Sequence, residues 1–303
     1  NDIIEAVIKP IINNYVFIHC HSPIGGLCGR IAAHRNKTKV IYTAHGFHFY
    51  KGAPLKNWLI YYPIERFLAR YTDVLITINS EDYYRAKKFN IKKLFYIPGV
   101  GVDTNKYTSN NIDKAKKCLD LGLNKDSLIL LSVGELNKNK NHAVIIKALA
   151  KLKNSNLQYI ICGQGDQKEY LESLIDLNNL RQNVILLGFR NDLNEIYQIS
   201  DVFLFPSFRE GLSVSLMEAM SNGLPVVCSN IRGNTDLIDK TKGGYLIKPN
   251  DIEGFASAIN DISNNKKMRL KMKLYNINKI ADYDINIVSQ KMQKIYTLLE
   301  GSK

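Results

Sequence analysis

Short apolar runs alternate along this chain with longer stretches in which apolar residues recur every three or four positions. The runs read as strands at 15–20 (YVFIHC), 39–45 (KVIYTAH), 73–79 (DVLITIN) and 94–98 (LFYIP). A second series follows at 127–134, 157–163, 183–189, 201–207, 225–229 and 244–249. Helical spacing predicts helices around 26–34, 55–71, 80–89, 141–152, 251–262 and 285–299. In 141–152, for example, Ile145, Ala148, Leu149 and Leu152 share one face. Parallel strands need a crossover between them, and a helix supplies it, so this alternation predicts an α/β protein with parallel sheets. After PGVGVDTNKY (98–107) a polar stretch, SNNIDKAKK, marks the domain junction. The expectation is two Rossmann-like domains facing across a cleft, 1–107 and 108–280, with 281–303 forming a helix that crosses back to the first.

Composition narrows the class. At 303 residues and 45% apolar, the chain can bury one large core or two moderate ones. No apolar run approaches the roughly eighteen residues of a membrane span. The amino end, NDIIEAVIKP, carries acids and no secretory core. Cys20, Cys28, Cys118, Cys162 and Cys228 are scattered without a C-x-x-C, which argues against zinc and against a disulfide framework and suits a reducing cytosol. The formal charge of +13 calls for an anionic partner. It is densest early, where residues 1–105 hold fourteen Lys/Arg against seven Asp/Glu. Within them DYYRAKKFNIKK (82–93) mixes aromatics with cations; an anionic membrane surface and a plain solvated helix suit it equally. No nucleic-acid reader motif accompanies the charge, so nucleic acid is not expected.

The chemistry concentrates in 205–222, FPSFREGLSVSLMEAMSN. A strand ends at Pro206, Gly211 lets the backbone turn, and Ser213 can cap the helix that follows. The first amides of that helix, near Leu212–Ser215, form an anion site beyond the carboxyl end of a strand. Glu210 stands before the helix and Glu218 inside it. A lone pair of this kind would ordinarily be two solvated charges.

Here the neighbouring segments change the weighting. EGLSVSLMEA resembles the E-x7-E element of retaining glycosyltransferases of family 4, which have the GT-B fold. IHCHSPIGGLCGRIAA, TAHGFHFYKG, IPGVGVD, VGELNKNKNH, ICGQGD, LGFRND and the following NGLPVV occur in that family's order, and the bacterial capsule and exopolysaccharide enzymes are the most similar. The resemblance implies transfer of a hexose or N-acetylhexosamine from a nucleotide sugar, UDP-linked, to a lipid-diphosphate-linked glycan. The work would be done without cofactor or metal, at the cytoplasmic face of the membrane, by a peripheral enzyme. It also implies that the chain begins inside the first domain, leaving that domain incomplete. A nucleotide-binding remnant or partner subunit without activity is the rival reading.

Carried onto this sequence, the family pattern makes Glu210 the residue that holds donor-sugar hydroxyls and Glu218 the acceptor for ribose hydroxyls, a carboxylate taking two at once. His45, ending its strand before Gly46, would contact the donor sugar from the other domain. Lys140, helped by Lys138, would hold the diphosphate with the helix start at Gly211, Leu212 and Ser213. Gly134 precedes Glu135, where many members carry Arg, so the phosphate charge must come from the lysines. Phe189 and Arg190 would border the base. Gly25, Gly26 and His21 would lie on the acceptor side. His19 and His48 are read as packing, and Gly163 and Gly165 as a tight turn rather than a dinucleotide motif. Asp282 and Asp284, the one D-x-D, read as helix-start residues.

Overall fold

Val40, Tyr42, Leu75 and Ile41, Val74, Ile76 are apolar on both sides of their strands, and such strands persist only between two covering layers. A computed structural model, which describes residues 15–107 and 112–301, has that arrangement twice. The expected junction at 108 and the acidic amino end both lie outside the described residues. The chain divides into two units, Asn1–Gly101 with Asn286–Lys303, and Val102–Ile285.

The first unit holds a parallel four-stranded sheet in sequential order: β1 (Phe17–Cys20), β2 (Lys39–Ala44), β3 (Val74–Thr77) and β4 (Lys93–Tyr96). Its crossovers are α1 (Pro23–Arg35), α2 (Leu55–Leu68) and α3 (Ser80–Ala86). Ala33, Val40, Tyr42, Ala44 and Leu75 form one core cluster with Trp58 and Tyr62. Ile41, Val74, Ile76 and Ile97 form another beneath Val288, Ile295 and Leu299 of the chain's last helix, Ile285–Glu300. A buried ion pair joins two of the crossovers. Arg30, 1% exposed, lies with its Nη1 2.8 Å from Glu65 Oε2, donates from Nε to the Gly26 carbonyl, and stacks 4.1 Å from the Tyr42 ring centre.

The second unit carries a six-stranded parallel sheet. In chain order its elements are α4 (Lys114–Asp120), β5 (Leu128–Val133), α5 (His142–Leu152), β6 (Leu157–Cys162), α6 (Lys168–Leu177), β7 (Val184–Gly188), α7 (Leu193–Ile199) and β8 (Val202–Phe205). They continue through α8 (Val214–Ser221), β9 (Val226–Ser229), α9 (Asn234–Leu237), β10 (Gly244–Ile247) and α10 (Ile252–Asn264) to α11 (Lys266–Ile280); the last helix, α12 (Ile285–Glu300), belongs almost wholly to the first unit. The strand order is β10-β9-β8-β5-β6-β7. The chain therefore builds outward from β5 in one direction to β7, then returns and builds the other way from β8. Every strand read from the sequence is present.

Boundaries moved where local chemistry decided them. The first helix starts at Pro23 rather than near Gly26, because Ser22 caps it by accepting from the Gly25 amide at 3.0 Å. The second gives way at Ala69 to a 3-10 turn, Ala69–Tyr71. Asp284 precedes the last helix and accepts from the Thr104 hydroxyl at 2.6 Å, a structural staple.

Candidate active site

In an open parallel sheet, ligands bind where the strand order reverses, outside the carboxyl ends of the two strands that diverge there. In the second unit those strands are β5 and β8, paired in parallel through Leu130–Val202 and Leu131–Phe203. The segment leaving β5 is Gly134–Asn141 and the segment leaving β8 is Pro206–Ser213. The sequence pattern had marked both segments; the strand order puts them side by side.

Lys140 and Glu210 meet there. Lys140 Nζ lies 2.7 Å from Glu210 Oε1 and 4.8 Å from the centre of the Phe205 ring. Both side chains are largely buried, at 19% and 13% exposed, so the pair is screened little by water. Gly134 clears the path for the lysine stem, since a Cβ there would stand 3.2 Å from Lys140 Cε. Asn139 donates to the Arg209 carbonyl at 3.0 Å and its own carbonyl accepts from the Phe208 amide at 2.8 Å. Asn141, in the left-handed region at φ 56°, donates to the carbonyls of Pro206 and Pro249. From the other side Arg232 Nε donates to the Glu210 carbonyl at 3.1 Å. Gly233, at φ 79°, passes so near that a Cβ would fall 2.2 Å from the Gly211 carbonyl oxygen. The loop bearing Glu210 is thus held on both flanks.

Glu218 projects from α8, and the buried Tyr197 donates its hydroxyl to Glu218 Oε2 at 3.1 Å. Ser213 caps α8 as expected, accepting from the Leu216 amide at 3.4 Å, and its hydroxyl lies 3.0 Å from that of Ser215. Leu212 packs onto the core beside β8. Glu135, exposed, accepts from Asn137 at 2.8 Å, while Lys140 pairs with Glu210. Gly163 and Gly165 serve close packing: a Cβ at the first would lie 1.9 Å from the Gly134 carbonyl oxygen and at the second 2.3 Å from that of Leu136. Phe189 is 70% exposed beyond β7. Arg190 forks onto Asp192 at 2.8 and 2.6 Å, which with Lys117 holds that carboxyl well below the usual carboxylate range. The Arg190 head is therefore committed to Asp192. A cavity of about 630 Å³ opens beside the same loops, lined by Lys138, Lys147, Tyr170, Phe208 and Asn250 among others.

Residues expected on the acceptor side belong to the first unit. His21 Nδ1 lies 3.1 Å from His45 Nε2, and the His19 and His21 rings stand 4.0 Å apart. His19 is held by the Thr43 and Tyr296 hydroxyls at 2.8 and 3.0 Å, in keeping with packing, and His48 stacks on Tyr61. Gly26 lies inside α1 and packs closely there: a Cβ would stand 2.6 Å from the Tyr42 ring. Gly25 is exposed in the same first turn. Burial lowers the pKa of His45, with His21 adding to it.

Burial, followed by the neighbouring His21 and His45, lowers His19 from 6.5 to about 4. Burial, followed by the Lys140 charge, does the same to His142. In the unfolded chain both rings take a proton near 6.5, while in the folded protein they resist until about 4. Protonation across that window therefore favours unfolding, and stability should be full above it and fall as pH drops through it. Thermal melts across the window check this; a melting temperature that stays level would show the rings already charged in the fold.

The family model described as glycosyl transferases group 1 matches residues 113–279, more than half of the chain. This protein belongs to that family. A second model, glycosyl transferase 4-like, matches residues 4–79. EpsD of Bacillus subtilis is 38% identical over 275 residues, covering 88% of this chain and 72% of the relative. The Escherichia coli UDP-Gal:alpha-D-GlcNAc-diphosphoundecaprenol alpha-1,3-galactosyltransferase is 34% identical over 86% of this chain and 69% of its own. Among solved structures, Anabaena HepE in complex with UDP superposes with a TM-score of 0.86 at 19% identity, over 96% of this chain and 81% of that one. The transferase has the GT-B fold, and the Lys140–Glu210 pair lies in the unit that the first family model matches.

Sequence reasoning found both ends of that pair but missed the supports of its loops, Asn139, Asn141 and Arg232, and the Tyr197 hydroxyl on Glu218. Asparagine after a strand and arginine before a glycine carry no motif of their own. The one usable signal was Asn141 directly before a helical run, an ordinary place for a left-handed residue.

Proposed function

We propose that this glycosyltransferase moves a hexose or N-acetylhexosamine from a UDP-sugar to a lipid-diphosphate-linked glycan acceptor in surface polysaccharide synthesis, with retention and without a metal. The observation that carries the reading is the Lys140–Glu210 ion pair at the strand-order reversal of the second unit. The E. coli relative, by its name, joins galactose from UDP-Gal to a GlcNAc-diphosphoundecaprenol acceptor, which supports the donor and acceptor classes.

In the reaction the bond from the anomeric carbon to the diphosphate breaks while a bond to the acceptor oxygen forms on the same face, the acceptor hydroxyl's proton passing to the departing diphosphate oxygen. Negative charge grows on the leaving UDP. Lys140 answers it with a fixed cation, and the amides at the start of α8 with aligned N–H dipoles. Lysine has three donors, so Lys140 can keep one on Glu210 while turning others to phosphate. Glu210, oriented by that contact and by Arg232 beneath its backbone, accepts from the donor sugar. Phe189 and the backbone at Arg190 border the uracil, Lys138 flanks the phosphates, and His45 is the imidazole the family pattern assigns to the sugar. A nucleotide-binding remnant is disfavoured, because the phosphate cation Lys140 and the sugar-holding Glu210 are both present and in contact.

Calorimetry with UDP tests the nucleotide part. Glu218→Ala should weaken UDP about tenfold or more, the loss of a charged acceptor for ribose hydroxyls. Tyr197→Phe, which removes only the hydroxyl orienting Glu218, should weaken it by a smaller factor. Unchanged affinity in Glu218→Ala would remove this residue from the ribose site.

A further inference from the structure

Helix α2 of the first unit turns an apolar face outward. Trp58, Tyr62, Glu65 and Leu68 face the core, and their opposite numbers do not. Leu55 is 73% exposed, Leu59 68%, Ile60 53%, Ile64 42% and Phe67 51%. At i, i+4, i+5, i+9 and i+12 these positions share one side of the helix, and Pro63 lies among them. A soluble surface carries single exposed leucines without consequence, but five large apolar side chains on one helical face mark a surface that another phase or partner covers.

Charge identifies the occupant. Lys51, Lys56, Arg66 and Arg70 stand exposed around these residues. The one acid between Lys51 and Tyr71 is Glu65, and it is turned inward onto Arg30. An apolar face interspersed with exposed cations, Arg70 lying 5.9 Å from the Phe67 ring centre, with its single carboxylate withdrawn, suits the boundary between lipid headgroups and acyl chains in an anionic bilayer. In the segment 82–93, which the sequence offered for the same task, Arg85, Lys87 and Lys92 contact neighbouring groups of the protein. Arg85 pairs with Glu81 at 2.7 Å and lies 4.4 Å from the Trp58 ring centre, Lys87 covers the Tyr83 and Tyr84 rings, and Lys92 pairs with Asp73 at 2.6 Å.

We infer that the outward face of α2 is the membrane-docking surface, with Leu55, Leu59, Ile60, Ile64 and Phe67 entering an anionic bilayer and Lys56, Arg66 and Arg70 holding its headgroups. The inference rests on the proposed use of a lipid-linked acceptor, since an enzyme drawing such a substrate must work at the bilayer surface.

The test is sedimentation of the full chain with phosphatidylcholine vesicles, with and without phosphatidylglycerol. The protein is expected to partition onto the anionic vesicles and to be released by high salt. Leu59→Ser/Phe67→Ser should lower that partition about tenfold or more, because it removes the buried apolar area of two large side chains. Arg66→Gln/Arg70→Gln should lower it only on the anionic vesicles. Circular dichroism and UDP calorimetry on each variant confirm that the fold and the nucleotide site persist. Equal partition by Leu59→Ser/Phe67→Ser and the parent would overturn the inference. So would loss of binding in Lys87→Gln/Lys88→Gln with none in the α2 variants, or a parent dimer that ignores vesicles and becomes monomeric in the apolar variant. Absent UDP binding in the parent would instead strike the functional reading, leaving the vesicle result to stand by itself.

Discussion

Glu210→Gln and Lys140→Ala are each expected to lower turnover by about a hundredfold or more, the usual loss when a principal electrostatic stabiliser of a transition state is removed. Their contact at 2.7 Å makes the two losses different in kind. Lys140→Ala deletes the phosphate cation and also leaves the Glu210 carboxylate, only 13% exposed, without its counterion. Nucleotide affinity should therefore fall together with kcat, and some stability with it. Glu210→Gln keeps the size of the side chain and releases Lys140 from a competing charge. Its UDP affinity should hold or rise while kcat falls. Because the residues touch, the double variant should lose less than the sum of the two in free energy. Steady-state kinetics with UDP calorimetry on the four proteins checks the pattern. Near-normal turnover in either single variant would take that residue out of the reaction.

Arg30→Met should destabilise the first unit by about 3–5 kcal/mol, the range for removing one partner of a buried ion pair. Arg30 is 1% exposed and makes three contacts at once: the Glu65 carboxylate, the Gly26 carbonyl and the Tyr42 ring. Without it Glu65 is a carboxylate in an apolar core, with the Tyr42 hydroxyl, 3.4 Å away, as a neutral neighbour. That hydroxyl already has its pKa driven upward, first by burial and then by the Glu65 charge. Replacing both partners, Arg30→Met with Glu65→Met, should recover much of the loss, since it removes the stranded charge together with the pair. Urea unfolding gives both numbers. An Arg30→Met protein as stable as the parent would mean that Glu65 gains a proton or water at little cost.

Both expectations rest on contacts between residues distant in the chain, Lys140 with Glu210 and Arg30 with Glu65. The sequence named the first two by motif and left Arg30 and Glu65 unremarked inside helical patterns. The same limit applied to α2. Its pattern, with Leu55, Leu59, Ile60, Ile64 and Phe67 repeating at helical spacing, is what an inward face looks like, and nothing in the spacing says which side meets the core. Trp58, Tyr62 and Leu68 compete for that place, and they occupy it. Conversely, the mixture of tyrosine and lysine at 82–93 advertised a binding surface, while in the fold Arg85, Lys87 and Lys92 rest on neighbouring rings and carboxylates.

What the chain determined by itself was everything local. The ten strands follow from apolar runs, the caps at Ser22 and Ser213 from a hydroxyl placed before a helix, and the chemistry of the phosphate site from the residue types after two strands. Tertiary structure alone decided which strands became neighbours. A parallel pair is joined by a long crossover, so adjacency in the sheet is not adjacency in the sequence. The placing of β8 against β5 brings residues seventy positions apart, Lys140 and Glu210, into a single ion pair. The same long-range packing chose which face of α2 meets the core, because that choice depends on the volume offered by the sheet and on the buried charge that Arg30 must satisfy.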